Sequence, residues 1–510
     1  MIVQGKDMTR SVTETADVCV VGSGAAGAIL AWELSDRGHS VVLLEKGGYR
    51  TRDMMTQKED EMMPVLYKNG GFLFAIPAGI AIAQGMCVGG STVINDAVCF
   101  RAPPTVLGWW TDDHKVEGVS ASDLDRYYSK VEKRISVAEV QPWEINKNNQ
   151  VLQRGAKALG WEAGPNNRNC KNCRQCGFCQ MGCYYGTKQS MLETYIPDTQ
   201  QFHSDLVKIY SDCGAEKVVT SGGRAVGVKA VSRGKDGRTF DVNIKAKVVV
   251  LSAGTIASSA LLQESSLNQG GKVGKGVALH PSPAMIGDFE EEIDGHKGIP
   301  MAYHCTEFSV LKTNQRGYMI ESVFLAPFQF SLPLPGVGYD YKELMARYTH
   351  YALLGTLMQD ETVGTVSNDG PLGATLNYEI SPGDSKMMIE GMQSCAKILF
   401  AAGATKVITS HRKRTVLYSL EDLHMIEDRG VSPLDISIGS GHPQGGNPMG
   451  GDPEKSVVDS DSKFRGVDNL FVCDASVFPT SLGVNPQLTV MALATRAAER
   501  IGDNWDRLAK

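Results

Sequence analysis

Five cysteines stand within fourteen residues of this 510-residue chain, in NCKNCRQCGFCQMGCYYGT from Asn169 to Thr187. Cys173, Cys176, Cys179 and Cys183 have the C-x2-C-x2-C-x3-C spacing of a bacterial ferredoxin run, with Tyr184 where proline usually follows. Cys170 extends the array upstream by the same interval. Thiolates are soft, anionic donors, and short spacings in a glycine-containing loop let several of them converge on one compact group. Three readings are open: a [4Fe–4S] cluster, a structural zinc, or free and disulfide-bonded cysteines. In two-cluster ferredoxins the fourth cysteine serves the other cluster, so spacing alone does not assign all four to one, and Cys170 can stand in for one of them. A second constellation lies at DVCVVGSGAAGAILAWELSDRGHSVVLLEKGG, from Asp17 to Gly48. Gly22, Gly24, Ala26 and Gly27 form a G-x-G-x-x-G turn between an apolar strand and a helix, with Glu45 closing the next strand. Glycine there permits a tight turn, approach of a pyrophosphate to the backbone, and close packing of helix on strand. The helix N-terminus offers unpaired N–H groups to phosphates, and an acid at position 45 suits a ribose 2′-OH and disfavours NADP.

The elements that must hold these residues are legible in part. Val18 to Val21 and Ser40 to Leu44 read as buried parallel strands, with a helix from Ala28 to Asp36 between them. Helices are expected at Ser120 to Val137, Asn149 to Leu159, Ser385 to Ala402 and Pro486 to Ile501. Strands are expected at Val207 to Val219, Arg224 to Val231, Thr239 to Ile244, Ala246 to Leu251 and Asn469 to Cys473. Tyr49 to Asn69 reads as irregular, and Gly71 to Gly90 as a buried loop and core segment or a wall of the substrate entrance. Gly89, Gly90 and Ser91 make a second glycine turn whose N–H groups can meet another part of a cofactor, with the Asn95 amide beside them. A plain connecting turn is the competing reading. The pattern predicts an α/β fold with a doubly wound, Rossmann-like dinucleotide domain of discontinuous segments and an α+β substrate domain on an antiparallel sheet. Its expected bounds are 1–284, including a cysteine-rich insert at 168–190, then 285–435, then a return at 436–510.

Composition narrows the class. Apolar residues make up 42% and charged residues 21%, as in ordinary globular proteins, and a net charge of −6 offers nothing to a nucleic acid. No stretch reaches the length of a membrane span, and the first residues have no apolar leader, so the expectation is a cytoplasmic protein without a membrane span. In that compartment clustered cysteines point to metal rather than disulfides.

Taken together, DVCVVGSGAAG, GGSTVIN (89–95), SAGTIASSALL (252–262), HPQGGNPMGG (442–451) and DASVFPTSLGVNPQLTVMALATRAAERI (474–501) resemble the glucose–methanol–choline (GMC) oxidoreductases. These blocks occur in the family's order and leave only about 285–434 uncovered. The resemblance implies FAD and oxidation of an alcohol by hydride transfer to flavin N5. It implies His442 as the base taking the hydroxyl proton and Asn485 as its partner, which also lies near the flavin. Asp474 and Ala475 would lie by the ribityl and pyrophosphate, and the Val218 backbone by adenine. One departure stands out: members commonly carry a Gly-Thr-Cys run after the histidine, where this chain has Gly445-Gly446-Asn447-Pro448. The cysteine stretch is similar to one in a branch that includes long-chain alcohol oxidases. The main expectation is therefore an FAD-dependent dehydrogenase that passes electrons through a [4Fe–4S] cluster to a protein or quinone acceptor. The alternatives are an alcohol oxidase using O2 with structural cysteines, and an FAD/Fe–S reductase of an activated double bond.

Overall fold

Val18, Val20, Leu43, Val248 and Val250 are all fully enclosed, and strands apolar on both faces must be covered on both faces. The computed structural model, which describes residues 1–361, 363–370 and 373–510, meets that demand with a doubly wound sheet. Its centre is Val12–Val21, paired in parallel with Val41–Leu44 on one side and Thr239–Leu251 on the other. Val207–Tyr210 and Leu470–Val472 extend the parallel part, and the meander Cys213–Ser221, Arg224–Arg233 and Thr239–Leu251 extends it antiparallel. Gly27–Asp36 and Gln487–Asp503 pack together, and Ala121–Arg134 packs on Gln487–Asp503. Ala121–Arg134 starts at a capping box in which Ser120 and Asp123 bond each other's backbone N–H.

Thr239–Leu251 is one strand of 13 residues where the sequence suggests two. Its first half alternates exposed and buried residues, and its second half is buried throughout. The change of pattern marks a change of surroundings, from a half-solvated meander to the covered parallel core, not a break in the backbone. Tyr49 to Asn69, expected to be irregular, contains the short helix Glu59–Leu66. Three acids in its first turn suit the helix dipole, and Met62, Met63 and Leu66 bury its other face.

A second, larger mixed sheet has Ser282–Asp288, Tyr351–Met358 and Tyr318–Ser322 as antiparallel neighbours. The helices Pro382–Ala401 and Lys147–Leu159 pack on it and on each other. The segment from Gly71 to Gly90 adds strands Phe74–Pro77 and Ile80–Ile82 to this sheet, burying Ala75, Ile80 and Ile82 while Phe72, Phe74 and Ile76 stay exposed. No helix among the described residues is long and apolar enough to cross a membrane.

Candidate active site

Three turns leave the same C-terminal edge of the parallel sheet: after Val21, after Leu251 and after Val472. Open α/β sheets bind their ligands there. Gly22 has φ +97°, and a Cβ on Gly27 would sit 1.8 Å from the Gly22 carbonyl oxygen, so neither position admits a side chain. A Cβ on Gly24 would meet only Gly90 Cα, at 3.8 Å; its other side is open. Ala26 precedes the first turn of Gly27–Asp36. The two glycine turns touch: a Cβ on Gly90 would lie 2.8 Å from Gly24 Cα, and the Gly89 N–H donates to Ser23 Oγ at 3.1 Å.

Glu45 is buried and braces this cradle. Its carboxylate accepts from Ser23 N at 3.0 Å, Ser23 Oγ at 2.7 Å and Gly47 N at 2.8 Å, while burial pushes its pKa up. Ser91 Oγ accepts from Gly85 N at 3.0 Å. Asn95, expected to offer its amide to a cofactor, spends it inside the protein: Nδ2 donates to Gln487 Oε1 at 2.8 Å and Oδ1 accepts from Ala97 N at 3.2 Å. The amide therefore ties the second glycine turn to the start of Gln487–Asp503. In the Val218 backbone, expected near adenine, the N–H donates to Ser265 Oγ at 2.8 Å, at the end of the helix Thr255–Glu264. Asp474 is buried and accepts from Gly254 N at 2.9 Å, Ser258 Oγ at 2.5 Å and Ser476 N at 2.9 Å, so it joins the second and third turns. Ala475, half-buried, opens the short turn after it.

His442 and Asn485 come from segments 43 residues apart, and His280, which bonds His442, also bonds Gly483 two residues before Asn485. His442 Nδ1 is 3.3 Å from His280 Nδ1, and His280 Nε2 is 3.0 Å from Gly483 N and 2.9 Å from Gln444 Nε2. The ring of His442 is shielded enough that its pKa falls to about 4. Asn485 is 6% exposed and its amide contacts the carboxyl of Glu321, which is 5% exposed. Burial raises the Glu321 pKa to about 8, against the Asn485 amide, which lowers it, and with the help of Asp96, which raises it. His280 and Glu321 carry no motif. Only their types, in otherwise apolar strand-like stretches, could have drawn notice.

All twelve cysteines are unpaired thiols, which removes the disulfide reading. Cys170, Cys173, Cys176, Cys179 and Cys183 line one small cavity with Arg174, Phe178 and Lys188. Each of the four expected ligands accepts an N–H···S bond: Cys173 from Gln175 N at 3.4 Å, Cys176 from Gln57 Nε2 at 3.6 Å, Cys179 from Arg168 at 3.3 Å, and Cys183 from Lys188 N at 3.4 Å. Cys170 instead donates toward Cys173, which draws the Cys173 pKa down. Among the described residues, no group of three or more His, Cys, Asp or Glu side chains is set closely enough to hold a metal ion, so this arrangement supports neither the zinc nor the expected [4Fe–4S] reading. The cavity is tied to the second glycine turn. Lys188 Nζ donates to the carbonyls of Val93, Asn95 and Cys179, each at 2.7 Å, and Arg168 Nε donates to Asp96 O at 2.9 Å.

Residues 63–282 and 361–494 match the amino- and carboxyl-terminal parts of the GMC oxidoreductase family, and residues 17–51 match an FAD dependent oxidoreductase family. The chain belongs to the GMC oxidoreductases. An uncharacterised GMC-type oxidoreductase of Mycobacterium tuberculosis is 32% identical over 96% of this chain and 76% of its own length. A long-chain-alcohol oxidase of Arabidopsis thaliana is 30% identical over 94% of this chain and 67% of its own. The fold matches pyridoxine 4-oxidase from Mesorbium loti with a TM-score of 0.72 at 18% identity, covering 95% of this chain and 98% of that one.

The cradle of this GMC enzyme fits FAD. The open side of Gly24 leaves room for a pyrophosphate. Gln84 Oε1, Ser252 Oγ and Asn485 Oδ1 are buried with no hydrogen-bond partner among the described residues, as expected of atoms that meet a ligand. A Gly24→Val variant fills that space, with its Cβ in ordinary contact with Gly90 Cα at 3.8 Å. It is expected to purify folded, with an unchanged circular dichroism spectrum, and without flavin absorbance.

Proposed function

We propose that this GMC oxidoreductase oxidises a primary alcohol bearing a long apolar chain, with FAD as hydride acceptor and O2 as the final oxidant. The observation that carries the substrate class is a cavity of about 660 Å³, walled by Met63, Pro64, Phe72, Phe178, Phe324 and Phe328. Sites of this size and lining take apolar ligands oriented by a few polar groups. Phe324 to Ala326 in its wall come shortly after the strand that carries Glu321, although Glu321, His442 and Asn485 do not themselves line it. Kinship with enzymes named long-chain-alcohol oxidases supports the same substrate and the same oxidant.

Held by the two glycine turns, FAD would supply the hydride acceptor for the carbinol carbon. The chain supplies the rest. His442 and Asn485 hold the reacting oxygen, and the shielded pocket keeps water from competing for their hydrogen bonds. Anaerobic bleaching of the flavin by alcohols of rising chain length tests this proposal. The expected kcat/KM gain is about fourfold per added methylene until the cavity is full, from ~0.8 kcal/mol for each buried CH2. Equal rates for ethanol and a long-chain alcohol would remove the cavity from the argument.

The N–H···S array supports a second reading, in which Cys173, Cys176, Cys179 and Cys183 hold a [4Fe–4S] cluster that drains the flavin one electron at a time to a quinone or protein. A four-iron cube holds its thiolates farther apart than a single ion does, and hydrogen bonds to the sulfurs tune its potential. Lys188 and Arg168 supply the cationic surroundings that thiolate ligands favour. Protein prepared without oxygen would then contain about four irons and four sulfides per chain. Iron-free protein that turns over with O2 and releases hydrogen peroxide leaves the cysteines a packing role and retains the oxidase.

A further inference from the structure

The hydrogen bonds around His280 fix where the protons of two histidines sit. His280 is 2% exposed and has φ +52°, a left-handed backbone that a histidine seldom adopts. Asp360 holds that turn in place, accepting from Leu279 N at 2.8 Å and His280 N at 3.0 Å. His280 Nε2 receives the Gly483 N–H, and a backbone N–H can only donate. The Gln444 amide also donates to this nitrogen, and its orientation is set because its Oε1 accepts from Leu482 N at 3.0 Å. His280 Nε2 therefore carries no proton, and neutral His280 must carry its proton on Nδ1. That N–H points at His442 Nδ1, 3.3 Å away, with the two rings 81° apart. His442 Nδ1 is then an acceptor, and neutral His442 keeps its proton on Nε2.

A histidine held this way meets the reacting oxygen as a donor and has no free nitrogen for another proton. The remaining group is Glu321. It contacts Asn485, and its Oε1 is buried without a partner among the described residues. The groups facing it are few. Asp96 is the charged neighbour, Asn485 the polar one, and His304 pairs with it across the sheet. His304 bonds Asn166 at 2.7 Å, and burial holds its pKa to about 4, so it stays neutral.

Resting on the alcohol reading above, we infer that His280 is a positioning residue that keeps the proton of His442 on Nε2, so that His442 donates to the reacting oxygen and the Glu321 carboxylate accepts the hydroxyl proton. The step balances. The O–H bond breaks and its proton passes to Glu321 Oε1; the C–H bond breaks and its electron pair leaves as hydride to oxidised FAD; the carbonyl π bond forms. The proton on Glu321 leaves with the two electrons when O2 is reduced to hydrogen peroxide.

Nitrogen-15 NMR of histidine-labelled holoenzyme reads the first half without any substrate. The expected spectrum has His442 protonated at Nε2 and bare at Nδ1. His280→Asn keeps an N–H donor near the Nδ1 position, suits the left-handed backbone, and should preserve that state. His280→Ala should give a mixture of tautomers and slower flavin reduction, which His280→Asn partly restores. A proton on His442 Nδ1 would overturn the inference. The second half is read from the pH dependence of anaerobic flavin reduction. The rate should rise with pH to a plateau above about 8, following ionisation of Glu321. Glu321→Gln should abolish that limb and slow reduction about 10²-fold. A limb that survives in Glu321→Gln would return the proton to His442. If Nε2–H is seen and no alcohol reduces the flavin, the tautomer assignment stands and the alcohol reading falls.

Discussion

Replacing His442 with alanine is expected to slow reduction of the bound flavin by about 10² to 10³-fold, the usual cost of losing one aligned donor or one proton-transfer group. FAD content should not change. The ring bonds His280, and its backbone N–H donates to Ser440 Oγ at 3.1 Å; neither contact belongs to the glycine turns. The variant leaves His280 Nδ1–H without an acceptor, so a modest loss of stability accompanies the loss of rate, on the order of 1–3 kcal/mol. Stopped-flow reduction without oxygen, alongside flavin absorbance and thermal unfolding, separates these effects. Parallel loss of flavin and rate would make His442 a structural residue.

A second large effect is expected at Lys188, which is 2% exposed and spends its three N–H donors on the carbonyls of Val93, Asn95 and Cys179. Lys188→Met keeps the bulk of the stem and strands three acceptors. At roughly 1–3 kcal/mol for each unsatisfied buried group, the variant should lose on the order of 3–9 kcal/mol, a large part of a typical folding free energy. The losses should be local first. Cys179 belongs to the cysteine loop and Val93 and Asn95 to the second glycine turn, so hydrogen exchange should quicken in both segments together. Wild-type exchange rates in either segment would show that the two are not joined through this side chain.

Much of the frame is readable from residue types because the residues there interact with near neighbours. The parallel strands at Val18 and Val41, the glycine turn, and the helix capped by Ser120 each follow from a local pattern. What the pattern does not hold is the identity of a distant partner. Asn95 sits at a motif position, yet Gln487 takes the amide expected to face a cofactor, and Ser265 takes the N–H of Val218. His280 acquires its role from Gly483, Gln444 and His442, all more than 150 residues away, and no spacing rule reaches that far. Glu321 lies in a strand whose five residues are all buried, so burial alone did not single it out. The short helix Glu59–Leu66 escaped because eight residues with an internal proline are too few for periodicity to show.

The contact between the two glycine turns has an evolutionary consequence. Gly24 against Gly90, Ser23 with Gly89, and the bridge between Gly48 and Cys87 close the segment between them at its base. That segment supplies Gln57 to Phe72, a large share of the apolar cavity wall. Its cavity-facing residues, Pro64 and Phe72 among them, can be exchanged without displacing the glycine turns, while the strands Phe74–Pro77 and Ile80–Ile82 fix its length. The cavity lining can thus vary on a segment anchored at both ends, apart from the turns that cradle the cofactor.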